Sequence, residues 1–363
     1  MNDSTLGHSV RVLVVDGSAF MRAELARMIA SEPEFEVVAT ASSGTEALEK
    51  VASLDPDVVT LEVQMPGLDG LGTLRCIMQQ FPRPVIMVSA VTEKDAEITF
   101  NALSAGAFDY IPKQLSNLSL DIAHIRPDLI AKIRTAAMTR RLRSVSHCFR
   151  KPAQSVGRKT AEAPFPITPA VIAIGVSTGG PKALQEILPR FPRDFPVPLL
   201  IVQHMPAGFT APFAQRLDTL CAIKVCEASA HELIRPATAY IAPAGVHMRV
   251  ERRLGNGRAM ISLDPEPQNA LHVPSVDTLM NSVAAFYGTR ALGVIMTGMG
   301  SDGAEGIKAI HRAGGVTIGQ DETTCTVYGM PRVCAELGIL NRVVPLNDIP
   351  TQILQAIRWR QPA

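Results

Sequence analysis

The sequence predicts an α/β protein built from two doubly wound parallel-sheet domains. Its length of 363 residues suits two domains. Short apolar runs alternate with helix-length segments in both halves, and a basic, proline-bearing stretch separates the halves. We therefore predict a first domain over residues 10–138, a flexible linker over 139–168 and a second domain over 169–360.

The first half contains five apolar runs typical of buried parallel strands. These predicted strands span residues 10–16, 36–41, 57–63, 85–90 and 108–113, and the clearest helices span 19–30 and 45–53. Regular alternation of strand and helix favours a five-stranded parallel sheet with helices on both faces.

The second half repeats this alternation after the linker. Predicted strands span residues 170–177, 198–204, 239–242 and 291–297, a hairpin spans 248–263 around Gly255-Asn256-Gly257, and a closing helix spans 348–359. A second parallel sheet follows from this pattern.

Composition and charge exclude several classes of function. Lys and Arg total 35 against 34 Asp and Glu, a net charge of +1, so nothing favours nucleic acid or an anionic membrane as a partner. The N-terminus lacks a signal-peptide pattern and no apolar run is long enough to span a bilayer, so we expect a cytoplasmic protein without membrane insertion. The six cysteines are dispersed, which indicates free thiols rather than a disulfide framework or a zinc site, and we assign no metal to the second domain.

A glycine-flanked serine carries the strongest chemical signal. The segment Gly175-Val176-Ser177-Thr178-Gly179-Gly180-Pro181 joins a predicted strand to a predicted helix. A serine at such a turn exposes its hydroxyl, and N–H groups at a helix start can stabilise an oxyanion. Phosphate binding or tight packing would explain the same glycines.

Two further segments supply what a nucleophilic serine needs. His204 ends the next apolar run, and Asp302 follows the run at 291–297. Read separately, His204 is a structural histidine and Asp302 a cap for the following helix. Together with Ser177 they lie where parallel sheets gather ligands, so we predict a Ser177-His204-Asp302 triad. The chain order Ser, His, Asp disfavours the α/β-hydrolase fold, in which the acid precedes the histidine.

The segments that contain Ser177, His204 and Asp302 resemble those of the CheB family of chemotaxis protein-glutamate methylesterases. The resemblance includes a further segment between His204 and Asp302, Ala242-Pro243-Ala244-Gly245-Val246-His247-Met248. The resemblance implies hydrolysis of glutamate methyl esters and deamidation of glutamines on chemoreceptors, without a cofactor. It implies an oxyanion hole from the backbone N–H groups of Thr178 and Met299. Methyl-accepting chemoreceptors are the expected partners, with a chemotaxis histidine kinase as a further candidate. Met205, Phe209 and Thr210 are candidates for lining an open substrate groove, and core packing is the alternative for Met205 and Phe209.

The first half resembles a response-regulator receiver with the flavodoxin-like fold. Its expected phosphate-site residues are Asp16, Glu62, Ser89 and Lys113. The family implies that the unphosphorylated receiver inhibits the catalytic domain and that an aspartate accepts the phosphoryl group.

Three residues depart from the receiver pattern. Gly17 replaces an acidic metal ligand, Glu62 replaces the acceptor aspartate, and Gln114 replaces a proline. We therefore expect weakened Mg²⁺ binding and no conventional phosphorylation. Either Glu62 imitates the phosphorylated state, or the domain is an inert scaffold.

Two other functions compete with the esterase. A non-catalytic two-domain signalling adaptor is disfavoured because Ser177, His204 and Asp302 are all present. A nucleotide-binding module is disfavoured because the glycine-rich segment lacks the Gly-Lys-Ser/Thr ending of a P-loop.

Overall fold

The computed structural model describes residues 9–90, 93–113, 120–149, 165, 167–253, 257–266 and 271–358. The chain divides into two compact units, residues 1–156 and 157–363. Within the described residues, no helix combines the length and the apolar character needed to cross a membrane.

The first unit is a five-stranded parallel sheet in the order β2-β1-β3-β4-β5. Its central strands are almost wholly apolar and buried, as expected when helices cover both faces of a parallel sheet. The strands are β1 Val10–Val15, β2 Phe35–Ala41, β3 Val58–Glu62, β4 Val85–Ala90 and β5 Asp109–Lys113.

Five helices connect and flank these strands. Side-chain caps fix three of their starts: Ser18, Ser43 and Asp69 each accept a hydrogen bond from a backbone N–H in the first turn. The helices are α1 Ala19–Ala30, α2 Gly44–Leu54, α3 Gly70–Gln80, α4 Glu93–Ser104 and α5 Leu120–Phe149.

Helix α5 changes the predicted linker. It continues to Phe149, so residues 139–149 of the predicted linker are helical. The first proline of that segment is Pro152, which leaves the preceding residues free to extend the helix. Arg140 also bonds to the first unit, with its guanidinium 3.1 Å from Asp55 Oδ1. The remainder of the linker, apart from Phe165, Ile167 and Thr168, lies outside the described residues.

The second unit is a seven-stranded parallel sheet in the order β14-β13-β12-β6-β7-β9-β8, accompanied by a separate antiparallel hairpin of β10 and β11. The sequence had indicated four of the seven strands, and β8, β13 and β14 are additional. The strands are β6 Val171–Val176, β7 Leu199–Gln203, β8 Lys224–Glu227, β9 Thr238–Ile241, β10 His247–Arg252, β11 Ala259–Asp264, β12 Ala291–Ile295, β13 Val316–Gln320 and β14 Arg342–Val344.

Helices complete this unit and form its apolar core with the sheet. Helix α8 packs on α9, β10 and β6, and its residues Val276, Leu279, Met280 and Val283 are fully buried. The helices are α6 Gly180–Ile187, α7 Thr210–Leu220, α8 Val276–Tyr287, α9 Ala304–Arg312, α10 Met330–Glu336 and α11 Ile349–Ala356. The predicted hairpin and closing helix are thus present, with slightly different bounds.

Candidate active site

The predicted catalytic residues gather at the topological switch point of the second sheet. From β6 the chain builds one half of the sheet through β7 and the other half through β12, so a crevice opens between the carboxyl ends of β6 and β12. Ser177 follows β6, and the glycine-rich loop containing Met299 and Asp302 follows β12. Val176 pairs with Gln203, which makes Ser177 and His204 neighbours at the same edge.

The turn that carries Ser177 depends on glycine. Gly179 has φ 79°, and a Cβ there would lie 2.4 Å from Thr326 Oγ1, so no larger residue fits. The N–H of Gly180 donates to the Ser177 carbonyl at 2.8 Å, and α6 begins at Gly180. Ser177 therefore sits on a tight turn directly before a helix N-terminus, as the sequence predicted.

The loop after β12 packs directly against this turn. A Cβ on Gly298 would lie 2.8 Å from Ser177 Cβ, and Thr297 Oγ1 donates to the Thr178 carbonyl at 2.9 Å. The N–H of Ser177 donates to the Thr297 carbonyl at 3.0 Å. Of the two predicted oxyanion donors, Thr178 thus lies on the Ser177 turn itself and Met299 lies on the loop that packs against that turn.

Gln203 is a site residue that the sequence analysis missed. It is 2% exposed, and its amide Nε2 donates to the carbonyls of Ser177 and His204, both at 3.0 Å. One side chain therefore links the turn that carries Ser177 to the segment that carries His204. The sequence feature that could have identified Gln203 is its position as a polar residue at the end of an otherwise apolar strand.

Asp302 is held by the N-terminus of α8. Its Oδ1 accepts hydrogen bonds from Ser275 Oγ at 2.9 Å and from the Asp277 N–H at 3.0 Å. Its Oδ2 accepts from the Val276 N–H at 2.7 Å and contacts His204 Nε2 at 2.8 Å. A carboxylate with four partners at a helix N-terminus is fixed in place and favoured in its charged form.

The surroundings of Asp302 keep it ionised. Burial opposes the charge, but the hydrogen bond from His204 and those from the α8 backbone hold the pKa of Asp302 well below its ordinary value. For the neighbouring Asp277, burial and the charge of Asp302 raise the pKa to about 6. Asp302, next to His204, therefore stays ionised at pH values low enough to protonate Asp277.

The orientation of His204 decides which ring nitrogen can act as a base. Asp302 takes Nε2, whereas His204 Nδ1 is buried and has no hydrogen-bond partner among the described residues. A neutral ring that donates from Nε2 to an ionised carboxylate carries its lone pair on Nδ1. Nδ1 is therefore the ring nitrogen whose lone pair is available to accept a proton.

The structure decides between the catalytic and the purely structural interpretations at two places. Helix α9 starts after Gly303 without a side-chain cap, so Asp302 does not cap the helix that follows it. Met205 and Phe209 are 6% and 0% exposed, which confirms core packing for them. Thr210 is also buried, and its hydroxyl donates to Glu227 at 2.5 Å, so these three residues do not form a groove wall.

Five of the six cysteines are free thiols, as predicted: Cys76, Cys221, Cys226, Cys325 and Cys334. Burial raises the pKa of the Cys325 and Cys334 thiols to about 12, so both are unreactive. Within the described residues, no three His, Cys, Asp or Glu side chains are arranged to hold a metal ion.

In the first sheet, three of the four predicted receiver-site residues meet at the switch point between β1 and β3. Lys113 Nζ lies 2.5 Å from Asp16 Oδ2 and also contacts Glu62 Oε1. The Gly17 N–H donates to Glu62 Oε2 at 2.7 Å. The fourth residue, Ser89, lies in β4, and its hydroxyl accepts a hydrogen bond from Thr99 at 2.9 Å.

The Glu62 carboxylate is thus bound by a lysine on one oxygen and a backbone amide on the other. Burial nevertheless raises the pKa of Glu62, with the nearby charge of Asp16 adding to that effect. Gly17 leaves little room, since a Cβ there would lie 3.3 Å from Glu62 Oε2. Gln114, the third departure from the receiver pattern, lies outside the described residues.

The fold and the site define a two-domain hydrolase, in which a receiver-like domain precedes a separate parallel-sheet domain with its site at the switch point. The CheB methylesterase family matches residues 172–353, and the response regulator receiver domain family matches residues 12–123. The chain belongs to the CheB methylesterase family. The predicted family, fold class and assignment as a carboxylic ester hydrolase are confirmed.

Relatives match over nearly the whole chain. Protein-glutamate methylesterase/protein-glutamine glutaminase 1 of Oleidesulfovibrio alaskensis is 47% identical and covers 96% of this chain and 99% of its own length. An enzyme of the same name from Pyrococcus abyssi is 44% identical over 97% of this chain and 94% of its own length. The crystal structure of the Thermotoga maritima CheB methylesterase catalytic domain is 37% identical, covers 52% of this chain and 99% of that domain, and has a TM-score of 0.50.

Proposed function

We propose that this chain hydrolyses glutamate methyl esters on chemoreceptors, and deamidates receptor glutamines, with Ser177 as nucleophile. The names of the relatives support the substrate class. The observation that carries the mechanism is the chain of contacts from the α8 N-terminus through Asp302 to His204, beside the Ser177 turn. A non-catalytic adaptor would not need an ionised carboxylate held so firmly against a histidine.

Proton transfer follows from the orientation of the imidazole. Ser177 Oγ attacks the ester carbonyl while its proton moves to His204 Nδ1, the nitrogen that Asp302 does not occupy. The imidazolium then donates from Nε2 to Asp302, whose negative charge stabilises it. This arrangement exchanges the roles that the two ring nitrogens have in chymotrypsin, where the aspartate binds Nδ1.

The tetrahedral intermediate places a negative charge beside the turn before α6. The backbone N–H groups of Thr178 and Met299 are the proposed donors to this oxyanion, because Thr178 follows Ser177 on the same turn and Met299 lies on the loop that packs against that turn. One such donor contributes about a hundredfold to a thousandfold in rate.

The second half of the reaction regenerates the serine. His204 returns its proton to the departing methoxide, giving methanol and an acyl-enzyme, and water activated by Nδ1 then releases the receptor glutamate. With glutamine as substrate the leaving group is ammonia. The proposed steps use side chains, backbone amides and water, and they require no cofactor.

The first test is methanol release from a methylated receptor fragment by two forms of the chain. We expect release by the full-length protein and by a fragment starting at Ala163, because every proposed catalytic residue lies in the second unit. The fragment keeps Phe165, whose carbonyl accepts from Arg358 at 3.3 Å and whose ring lies under Arg342. Release by neither form would contradict the proposed activity; release by the full-length chain alone would mean that the first unit completes the site.

Replacing Asp302 by asparagine is expected to reduce kcat by about a thousandfold to ten-thousandfold. One amide oxygen cannot satisfy the four donors that now meet the carboxylate, and the amide no longer stabilises the imidazolium. Because folding lowers the pKa of Asp302, its ionised form stabilises the protein above the unfolded pKa of about 4, so thermal stability at pH 7 should fall as well.

The matched control for this change is Asp348→Asn. Asp348 is exposed and its side chain caps no helix, so activity and melting temperature should stay unchanged. An Asp302→Asn variant with wild-type kcat would contradict the role of Asp302.

We further propose that the receiver is not conventionally phosphorylated. The residues present do not fit Mg²⁺: Gly17 offers no side-chain oxygen, and Lys113 already contacts the carboxylates of Asp16 and Glu62. The Glu62 carboxylate is engaged on both oxygens, which removes it from in-line attack on a phosphodonor. A histidine kinase remains a candidate partner through binding rather than through phosphoryl transfer.

A further inference from the structure

We infer that His272 is a positioning residue that holds the catalytic imidazole in plane. The rings of His204 and His272 are stacked, with centroids 4.1 Å apart and an interplanar angle of 17°. The inference rests on the proposed function, because it concerns how His204 delivers Nδ1 to Ser177.

The hydrogen bond to Asp302 does not by itself restrain rotation of the His204 ring. A hydrogen bond at Nε2 fixes that corner of the imidazole, but the ring can still rotate and swing Nδ1 away from the serine. A flat neighbour pressed against one face opposes this rotation. Misplacing a reacting group by about 1 Å can cost on the order of a hundredfold in rate, so the plane of the ring matters.

Two hydrogen bonds fix the loop directly after His272. The Val273 carbonyl accepts from the Gly245 N–H at 3.2 Å, and the Ser275 N–H donates to His247 Nδ1 at 3.1 Å. His247 is fully buried. The Ala242-to-Met248 segment, which the proposed chemistry did not otherwise use, thus anchors the loop on which His272 stands.

The same loop ends at the start of α8, which holds Asp302. Ser275 both donates to Asp302 Oδ1 and accepts from the Thr278 N–H, so the residues after His272 set the position of the carboxylate. One short segment therefore orients both partners of His204: Asp302 at its edge and His272 on its face. An aromatic face over the imidazolium also favours the charge formed during the reaction.

The test compares His272→Ala with His272→Phe, which keeps a flat ring but has no ring nitrogen. Two rates are measured. The first is methanol release from a methylated receptor fragment, and the second is labelling of Ser177 by a small fluorophosphonate. Because this probe lacks the receptor helix, its labelling rate does not depend on receptor binding. We expect His272→Ala to lower kcat and the labelling rate by about tenfold to a hundredfold with little change in KM. His272→Phe should recover most of that loss.

His311→Ala is the matched control, since His311 is exposed on α9, and it should match the wild type. The inference is overturned if His272→Ala raises KM without slowing labelling, which would indicate a receptor contact. It is also overturned if His272→Phe is as slow as His272→Ala, or if both equal the wild type. Labelling that persists in Ser177→Ala would instead contradict the proposed function, so the two failures are distinguishable.

Discussion

Replacing Ser177 by alanine is expected to reduce methanol release by on the order of a thousandfold or more while the fold stays intact. The Ser177 backbone, rather than its hydroxyl, makes the contacts that shape the turn: its N–H donates to Thr297 and its carbonyl accepts from Gly180 and Gln203. Alanine keeps all three contacts and removes only the nucleophile. The loss should therefore appear in kcat, and the melting temperature should change little.

His204→Ala should cost about as much, and the double variant should be little worse than either single one, because a nucleophile and its base act as a unit. Ser301→Ala is the matched serine control: Ser301 is exposed on the loop beside Asp302. Ser177→Ala retaining a substantial share of wild-type activity would remove the serine mechanism, whereas losses that multiply in the double variant would separate the roles of Ser177 and His204.

The sequence predicted best what depends on strong local patterns. Strand β4 and helix α1 have the predicted bounds, since an apolar run and a capped amphipathic segment mark their ends. Gly179 likewise revealed the turn that carries Ser177, because the tight loop excludes any larger residue. Ser177, His204 and Asp302 were predictable because parallel strands deliver whatever follows them to one edge.

Features created by tertiary contact were not predictable in this way. Strands β8 and β14 are short and lie at the sheet edges, where pairing rather than apolar pattern defines them. The hydrogen bonds between the α8 N-terminus and Asp302 join residues more than twenty positions apart in the sequence. Which ring nitrogen of His204 contacts Asp302 depends on this tertiary packing. Helix α5 passes the predicted domain end because no proline interrupts the chain between Pro127, which lies inside the helix, and Pro152.

In the receiver, the double change Gly17→Asp with Glu62→Asp is expected to create Mg²⁺-dependent stimulation of the esterase by a small acyl phosphate. Aspartate at position 17 supplies the missing oxygen ligand. Aspartate at position 62 is one methylene shorter, so its carboxylate withdraws from Lys113 and from the residue-17 N–H and becomes available as acceptor. We expect a stimulation of at least about fivefold, measured as methanol release with and without the phosphodonor.

The two single changes are the matched controls, and neither should respond. Gly17→Asp alone places a new side chain 3.3 Å from Glu62 Oε2 and a third carboxylate beside one lysine, so repulsion should offset any gain in metal binding. Glu62→Asp alone still lacks a metal ligand. Stimulation of the unmodified protein, with label on Glu62, would show that the geometric argument is wrong.

The rate of methanol release by the unstimulated full-length protein is then compared with that of the fragment from Ala163. This comparison shows whether the receiver with Glu62 inhibits the esterase. Near-equal rates would mean that the receiver does not inhibit the catalytic unit, either because the Lys113–Glu62 contact imitates the phosphorylated state or because the domain is an inert scaffold. A much slower full-length chain would mean that the receiver is a permanent inhibitor. If the receiver is a permanent inhibitor, Glu62→Gln should leave the inhibition in place. This change removes the negative charge from the contact with Lys113 but keeps the length of the side chain. Because the Glu62 charge would not be activating the protein in that case, its loss should not change the rate.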